Sequence, residues 1–401
     1  MKISVTLEDK KIKREIERFL DFTGREYWDK IIGNIDATSG KFYKQYLLRR
    51  NPLIKPLLRY FELKNNGESI WKHALELINL SREVFIINSI VHNLNDKGRK
   101  YIKGKLRDEQ GIRPFLFELH LATHFFRHDL NVEFLEYEAS DTSQKTFEFL
   151  VSGDGIEREV ECKWKGIDAG RKITDSGLHQ LADEILRNVL PNLRNRQCLV
   201  YLTCKDILGR NRDKFIKITK SLLEGIRREK NEIIFDDNFQ AKISYVQNNI
   251  NININNQPIS TISEVFRLEK YRFILISEKD STIILVVESE ESDEVQKSIY
   301  ETLRKAPEKF TKRRPALIAC YLDGINPDLW KQLRGRNNLS EISYDLLSRN
   351  KYVHTISYMA IPLIYAAGNE LDFRTDALFM RNPDSLYHKD EDIFFLEMMK
   401  K

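Results

Sequence analysis

The segment Glu159-Val160-Glu161-Cys162-Lys163-Trp164-Lys165 alternates charged and apolar residues without a break. Side chains alternate between the two faces of a β-strand, so Val160, Cys162 and Trp164 share one face. Glu159, Glu161, Lys163 and Lys165 share the other. Such a strand lies either at the edge of a sheet, with its charged face in water, or at a site that uses the charges. Both readings stand open on this run alone. Two carboxylates with a lysine can hold a hard divalent cation and present an ammonium beside its water ligand.

Two further acids sit in apolar surroundings. Thr146-Phe147-Glu148-Phe149-Leu150 places one carboxylate inside an aromatic strand, and Phe115-Leu116-Phe117-Glu118-Leu119 places another beside the apolar stripe of a helix. An unpaired buried charge is prohibitively costly, so each acid must be paired, metal-bound or protonated. Separate ion pairs would account for them one at a time. Periodicity orders this region as a helix through residues 115–126, then strands at 131–139, 145–151 and 157–164. A helix over 177–190 and a buried strand at 198–202 follow. Gly153-Asp154-Gly155 supplies the turn between the second and third strands. Lys165, Arg171 and Lys172 follow the acids closely and could contact backbone phosphates.

This arrangement resembles the PD-(D/E)XK nuclease superfamily, over roughly residues 111–206. The resemblance rests on Glu118, Glu148 and the triplet Glu161-Cys162-Lys163, in that order on successive elements. It implies an α/β fold with a restriction-endonuclease-like core, an α-β-β-β-α-β mixed sheet. It further implies that Glu148 and Glu161, with the Cys162 carbonyl, bind Mg²⁺, for which Mn²⁺ can substitute. Glu118 would complete the metal shell, and Lys163 would orient or activate the attacking water. Gln180 matches a position where some members carry a glutamine that contacts substrate or metal. The family usually carries Asp after Pro on the second strand, whereas this chain has Glu148 after Phe147. Asp141 and Asp154 are the alternative ligands. The implied function is a metal-dependent endonuclease hydrolysing phosphodiester bonds of nucleic acid, DNA ahead of RNA, in prokaryotic restriction or defence. The alternative is a catalytically inactive nuclease-fold subunit that binds nucleic acid or a partner protein.

At 401 residues the chain exceeds what one core usually serves. Three regions are expected: a helical N-terminal region (1–110), the nuclease core (111–235) and a C-terminal α/β region of unassigned role (236–401). A homo-oligomer or a partner subunit is a further expected association. Net charge is only +5, so a polyanionic partner cannot be read from the total. The cluster Lys309, Lys312, Arg313 and Arg314 reads equally as a basic loop or as a nucleic-acid contact. Composition leaves the Asn-Ile alternation at 248–256 open between strand and loop. His120, His124 and His128 stack along one helix face, but successive turns rise ~5.4 Å, too far for one metal shell. No Gly-x-x-x-x-Gly-Lys-Ser/Thr loop supports ATP-driven work. The four cysteines form no paired zinc spacing and fit a reducing cytoplasm. The longest apolar run, 356–367, is broken by Ser357 and Pro362 and is too short to span a bilayer. Glu8 arrives before any signal-like apolar run, so a cytoplasmic location without membrane insertion is expected.

Overall fold

The amphipathic stripe Ile12, Ile16, Phe19 and Leu20 folds inward on the first helix and begins a helical layer. In this computed structural model the layer comprises α1 (Asp9–Thr23), α2 (Arg25–Asp36), α3 (Lys41–Arg50), α4 (Ile54–Asn65), α5 (Ala74–Asn93) and α6 (Asp96–Leu106). The structure describes residues 9–38, 40–66, 74–108, 112–135, 147–153, 155–166, 168–193, 196–205, 207–209, 211–230, 232–236, 239–245, 272–278, 281–325, 327–335, 338–360, 363–365, 371–373 and 376–387. Asp141, Asp154 and the stretch 248–256 lie outside them.

Helix α7 (Ile112–Phe126) is apolar on two sides because it joins two cores. Ile112, Phe115, Leu116 and Leu119 pack into the helical layer. Phe117, Leu121, Ala122 and Phe125 pack against Phe149, Val151, Val160 and Cys162 of a sheet. That sheet has six strands in the order β1-β2-β3-β9-β10-β13. Its members are β1 (Asn131–Phe134), β2 (Phe149–Gly153), β3 (Ile156–Lys165), β9 (Ala316–Leu322), β10 (Val353–Ala360) and β13 (Asp376–Arg381). β1, β2 and β3 form an antiparallel meander, turning at Gly155, whose φ of 79° suits glycine. β9 runs parallel to both β3 and β10, and β13 closes the far edge antiparallel to β10.

A second sheet is built from chain lying between β3 and β9. Its order is β5-β6-β4-β8-β7. The strands are β4 (Gln197–Cys204), β5 (Glu232–Asp236), β6 (Phe239–Tyr245), β7 (Arg272–Glu278) and β8 (Ser281–Ser289). Helices α8 (Asp175–Asn188) and α9 (Arg212–Arg227) bury Leu178, Leu181, Phe215 and Leu222 in the core of this sheet. The chain then returns through α10 (Val295–Leu303) and a 3-10 helix (Ala306–Lys309) to β9. α11 (Pro327–Arg334) and α12 (Leu339–Arg349) connect β9 to β10, and a two-stranded pair, β11 (Leu363–Tyr365) with β12 (Leu371–Phe373), precedes β13.

The chain is therefore mixed α/β with mixed sheets, but its sheets do not follow the sequence in blocks. The strand expected beside the Glu161 strand, at 198–202, lies in the other sheet. Both edges of β4 are taken, by β6 antiparallel and by β8 parallel. β9 fills the expected place. The expected boundary at 235/236 falls within β5, and a sheet containing β1, β2 and β3 draws its other three strands from beyond residue 315. Among the described residues no helix is long and apolar enough to cross a membrane.

Candidate active site

β3 is a central strand, with β2 on one side and β9 on the other, so its charged face is not an exposed edge. Its apolar face, Val160 and Cys162, meets α7. Its charged face is covered by α10, the 3-10 helix and the loop that follows. The answering groups come from a short stretch. Thr311 N–H donates to Glu159 Oε2 at 2.8 Å, and the Thr311 hydroxyl donates to Oε1 of the same carboxylate. Arg314 lies 3.6 Å from Glu159 and donates to Glu157 at 2.5 Å. Lys165 Nζ donates to Thr302 Oγ1 on α10 at 2.8 Å.

The register Phe149↔Val160 places Glu148 opposite Glu161 on the next cross-strand pair. Glu148 is 4% exposed and Glu161 fully buried. Glu148 Oε2 accepts a hydrogen bond from Cys162 N–H at 2.9 Å, a reach that the longer glutamate side chain permits. Lys309 Nζ bridges the pair, 3.0 Å from Glu161 Oε1 and 3.4 Å from Glu148 Oε1. Lys163 donates to Glu161 Oε1 from the other side. The second oxygen of Glu161, Oε2, is buried with no hydrogen-bond partner. Burial pushes the Glu148 carboxyl well above the usual carboxylate range, and the Glu161 carboxylate beside it pushes further in the same direction. Lys309 and Lys163 oppose that shift. Two acids and two lysines therefore form one electrostatic unit. The lysine side chains keep 18% and 27% of their surface, so the acids lie under groups that reach solvent.

Glu148, Glu161 and Lys163 are thus brought together as expected, and Glu118 is placed differently. It is buried on α7, the helix that packs on the Cys162 face of β3. Its nearest recorded influence is on the Cys162 thiol, whose pKa is raised by burial first and then by Glu148, Glu118 and Glu161. A helical residue's direction depends on the rotation of the helix, which the sequence did not specify. Among the described residues no three His, Cys, Asp or Glu side chains are grouped to hold a metal. That includes His120, which pairs with Glu83 at 2.5 Å, and the adjoining rings of His124 and His128.

The expected phosphate contacts are engaged inside the protein. Arg171 donates to Gly324 O, and burial followed by the nearby Arg272 lowers its pKa to about 10. Lys172 pairs with Glu291 at 2.5 Å. Gln180 is half-buried on α8, in the layer over the second sheet. It follows β3 in sequence, but α8 packs on the second sheet. Lys309 is the site residue that sequence reasoning missed. Its signal was present in the basic cluster before β9, but nothing in that cluster named Glu161 as its target.

The donor set suits a hard divalent cation. Glu148 and Glu161 supply carboxylate oxygens, and the buried, partnerless Glu161 Oε2 is a position that a cation or a proton would satisfy. The chain matches no family model, no curated protein and no solved structure.

Proposed function

We propose that the chain is a metal-dependent nuclease, a phosphodiester hydrolase with a restriction-endonuclease-like core. One observation carries the reading: Glu148 and Glu161 face each other across β2 and β3 with Lys163 and Lys309 on their carboxylates. The order α7, β1, β2, β3, α10, β9 supports the fold assignment. It gives a helix, three antiparallel strands, a helix and a parallel strand, with the second sheet inserted between β3 and α10.

In this reading Glu148 and Glu161 hold Mg²⁺ or Mn²⁺. The bound ion would stabilise the attacking and leaving oxygens of an in-line displacement at phosphorus. The residues do the rest. Glu161, between two ammonium groups, stays ionised and ready to bind a cation. Glu148, with its raised pKa, takes up a proton when no cation is present and releases it when one binds. Lys163 offsets the negative charge that builds on the phosphate and orients the water. DNA is the proposed substrate ahead of RNA, and restriction or defence the proposed setting.

A second reading has its own observation. Lys309 Nζ already sits within 3.4 Å of both carboxylates, where a cation would bind, as expected of an inactive subunit that binds nucleic acid or a partner. Purified protein incubated with plasmid, single-stranded DNA and RNA, with Mg²⁺ or Mn²⁺ and then EDTA, separates the two. The nuclease reading expects chelator-sensitive cleavage that Lys163→Ala lowers by roughly 100-fold or more. Nucleic-acid binding without cleavage would favour the second reading, and cleavage undiminished in Lys163→Ala and Glu161→Gln would overturn the site.

A further inference from the structure

The face of β3 turned away from the acids borders a cavity of about 500 Å³ between the helical layer and the sheet. That volume falls within the roughly 300–1,000 Å³ usual for small-ligand sites. Its floor is aromatic. Trp164 on β3 stacks on Tyr321 of β9, with ring centroids 4.4 Å apart and planes 14° from parallel. Phe117 of α7 tilts against both rings. Trp164 and Tyr321 are only part-buried, so the stack presents a ring face to the cavity.

The rim is cationic. Arg49 of α3 and Lys55 of α4 are exposed on it, and Arg113 stands at the start of α7. Arg113 is matched by Asp323 at 3.0 Å, and the one carboxylate lining the cavity, Glu83, is held by His120. Arg49 differs. It hydrogen-bonds at 2.6 Å to Nε2 of His179, whose Nδ1 lies 2.7 Å from the Asp175 carbonyl. That arrangement suits a neutral imidazole accepting from the guanidinium, and burial lowers the His179 pKa in agreement. Among the described residues no carboxylate forms an ion pair with Arg49. A planar aromatic floor under a rim of unneutralised positive charge matches a planar ring carrying an anion.

We propose that this cavity binds a nucleobase bearing a phosphate, with the base on the Trp164–Tyr321 stack and the phosphate against Arg49 and Lys55. The ligand comes either from a free nucleotide or from the phosphorylated end of a strand. The site lies on the opposite face of β3 from Glu161 and Lys163 and does not depend on cleavage.

Intrinsic tryptophan fluorescence of the full chain, titrated in EDTA, tests it. The probes are the four nucleoside monophosphates and triphosphates, the matching nucleosides, and a short oligonucleotide with and without a 5′-phosphate. Saturable quenching by phosphorylated probes is expected, with nucleosides binding about tenfold or more weakly. Arg49→Ala and Lys55→Ala, both at exposed positions, should each weaken binding by about tenfold, the loss expected of one charged contact. Trp164→Phe should keep binding, measured by calorimetry, and lose most of the quench. Free nucleotides alone binding, or only phosphorylated ends binding, would identify the source. No saturable binding by any phosphorylated probe, equal binding of nucleosides, or affinity unchanged in both cation variants would overturn the proposal.

Discussion

Lys309 and Glu161 are joined at 3.0 Å, although one belongs to the 3-10 helix before β9 and the other to the middle of β3. The same ammonium reaches Glu148 at 3.4 Å, so one lysine spans two neighbouring buried acids. Removing it leaves two carboxyls facing each other with less compensation. Lys309→Met should therefore lower stability by about 1–3 kcal/mol without divalent ions, at the low end because the lysine is partly solvated. Mg²⁺ should narrow that gap by taking the vacated position. Urea unfolding of both proteins, with and without Mg²⁺, measures it.

The raised pKa of Glu148 has a definite sign in stability. The folded protein holds this proton at pH values where the unfolded chain has released it. The stabilisation it contributes is complete below the unfolded value, near 4.5, and is lost as pH rises through the folded value. Glu148→Gln removes that dependence and keeps an oxygen to accept from Cys162 N–H. Its stability relative to the native chain should grow as pH rises above 4.5, by at most ~1.4 kcal/mol per pH unit. Unfolding free energies at several pH values in EDTA check the slope. A constant difference would contradict it.

Neighbouring acids on one strand face should separate by role. Glu159 is fully buried and satisfied by Thr311 and Arg314, so Glu159→Ala strands their donors. The expected cost is about 2–4 kcal/mol, with cleavage per folded molecule retained. Glu161→Gln should do the reverse, losing cleavage while thermal unfolding shifts less. Measuring Tm and turnover on both variants separates support from chemistry.

The hairpin that sets Glu148 opposite Glu161 depends on Gly155. Its φ is 79°, and a Cβ there would meet no atom within 4 Å, so the cost of alanine is conformational alone. Gly155→Ala should destabilise by about 1–2 kcal/mol with no loss of packing. Urea unfolding with an unchanged m-value would fit.

Much of this site could be read from the chain. Strict alternation in β3 placed Glu161 and Lys163 on one face, and strand parity placed Glu148 with them. The buried acids were correctly expected to need partners. The rest depended on contacts that local sequence does not encode. An apolar run such as 198–202 declares that a strand is buried, not which strand lies beside it, and β9 was equally apolar. Lys309 acts on Glu161 through tertiary packing alone. Glu118 stood one position from Phe117 and Leu119, and which way it pointed depended on two cores competing for the same helix. α7 serves both.

The central claim is that Glu148 and Glu161 form a divalent-cation site. Mn²⁺ titration of the metal-free protein, followed by the loss of the free-ion paramagnetic resonance signal, tests it without any nucleic acid. Saturable binding is expected in the native chain, weakened by roughly 100-fold in Glu161→Gln and strengthened in Lys309→Met. Binding that is absent from the native chain, or intact in Glu161→Gln, would contradict the account.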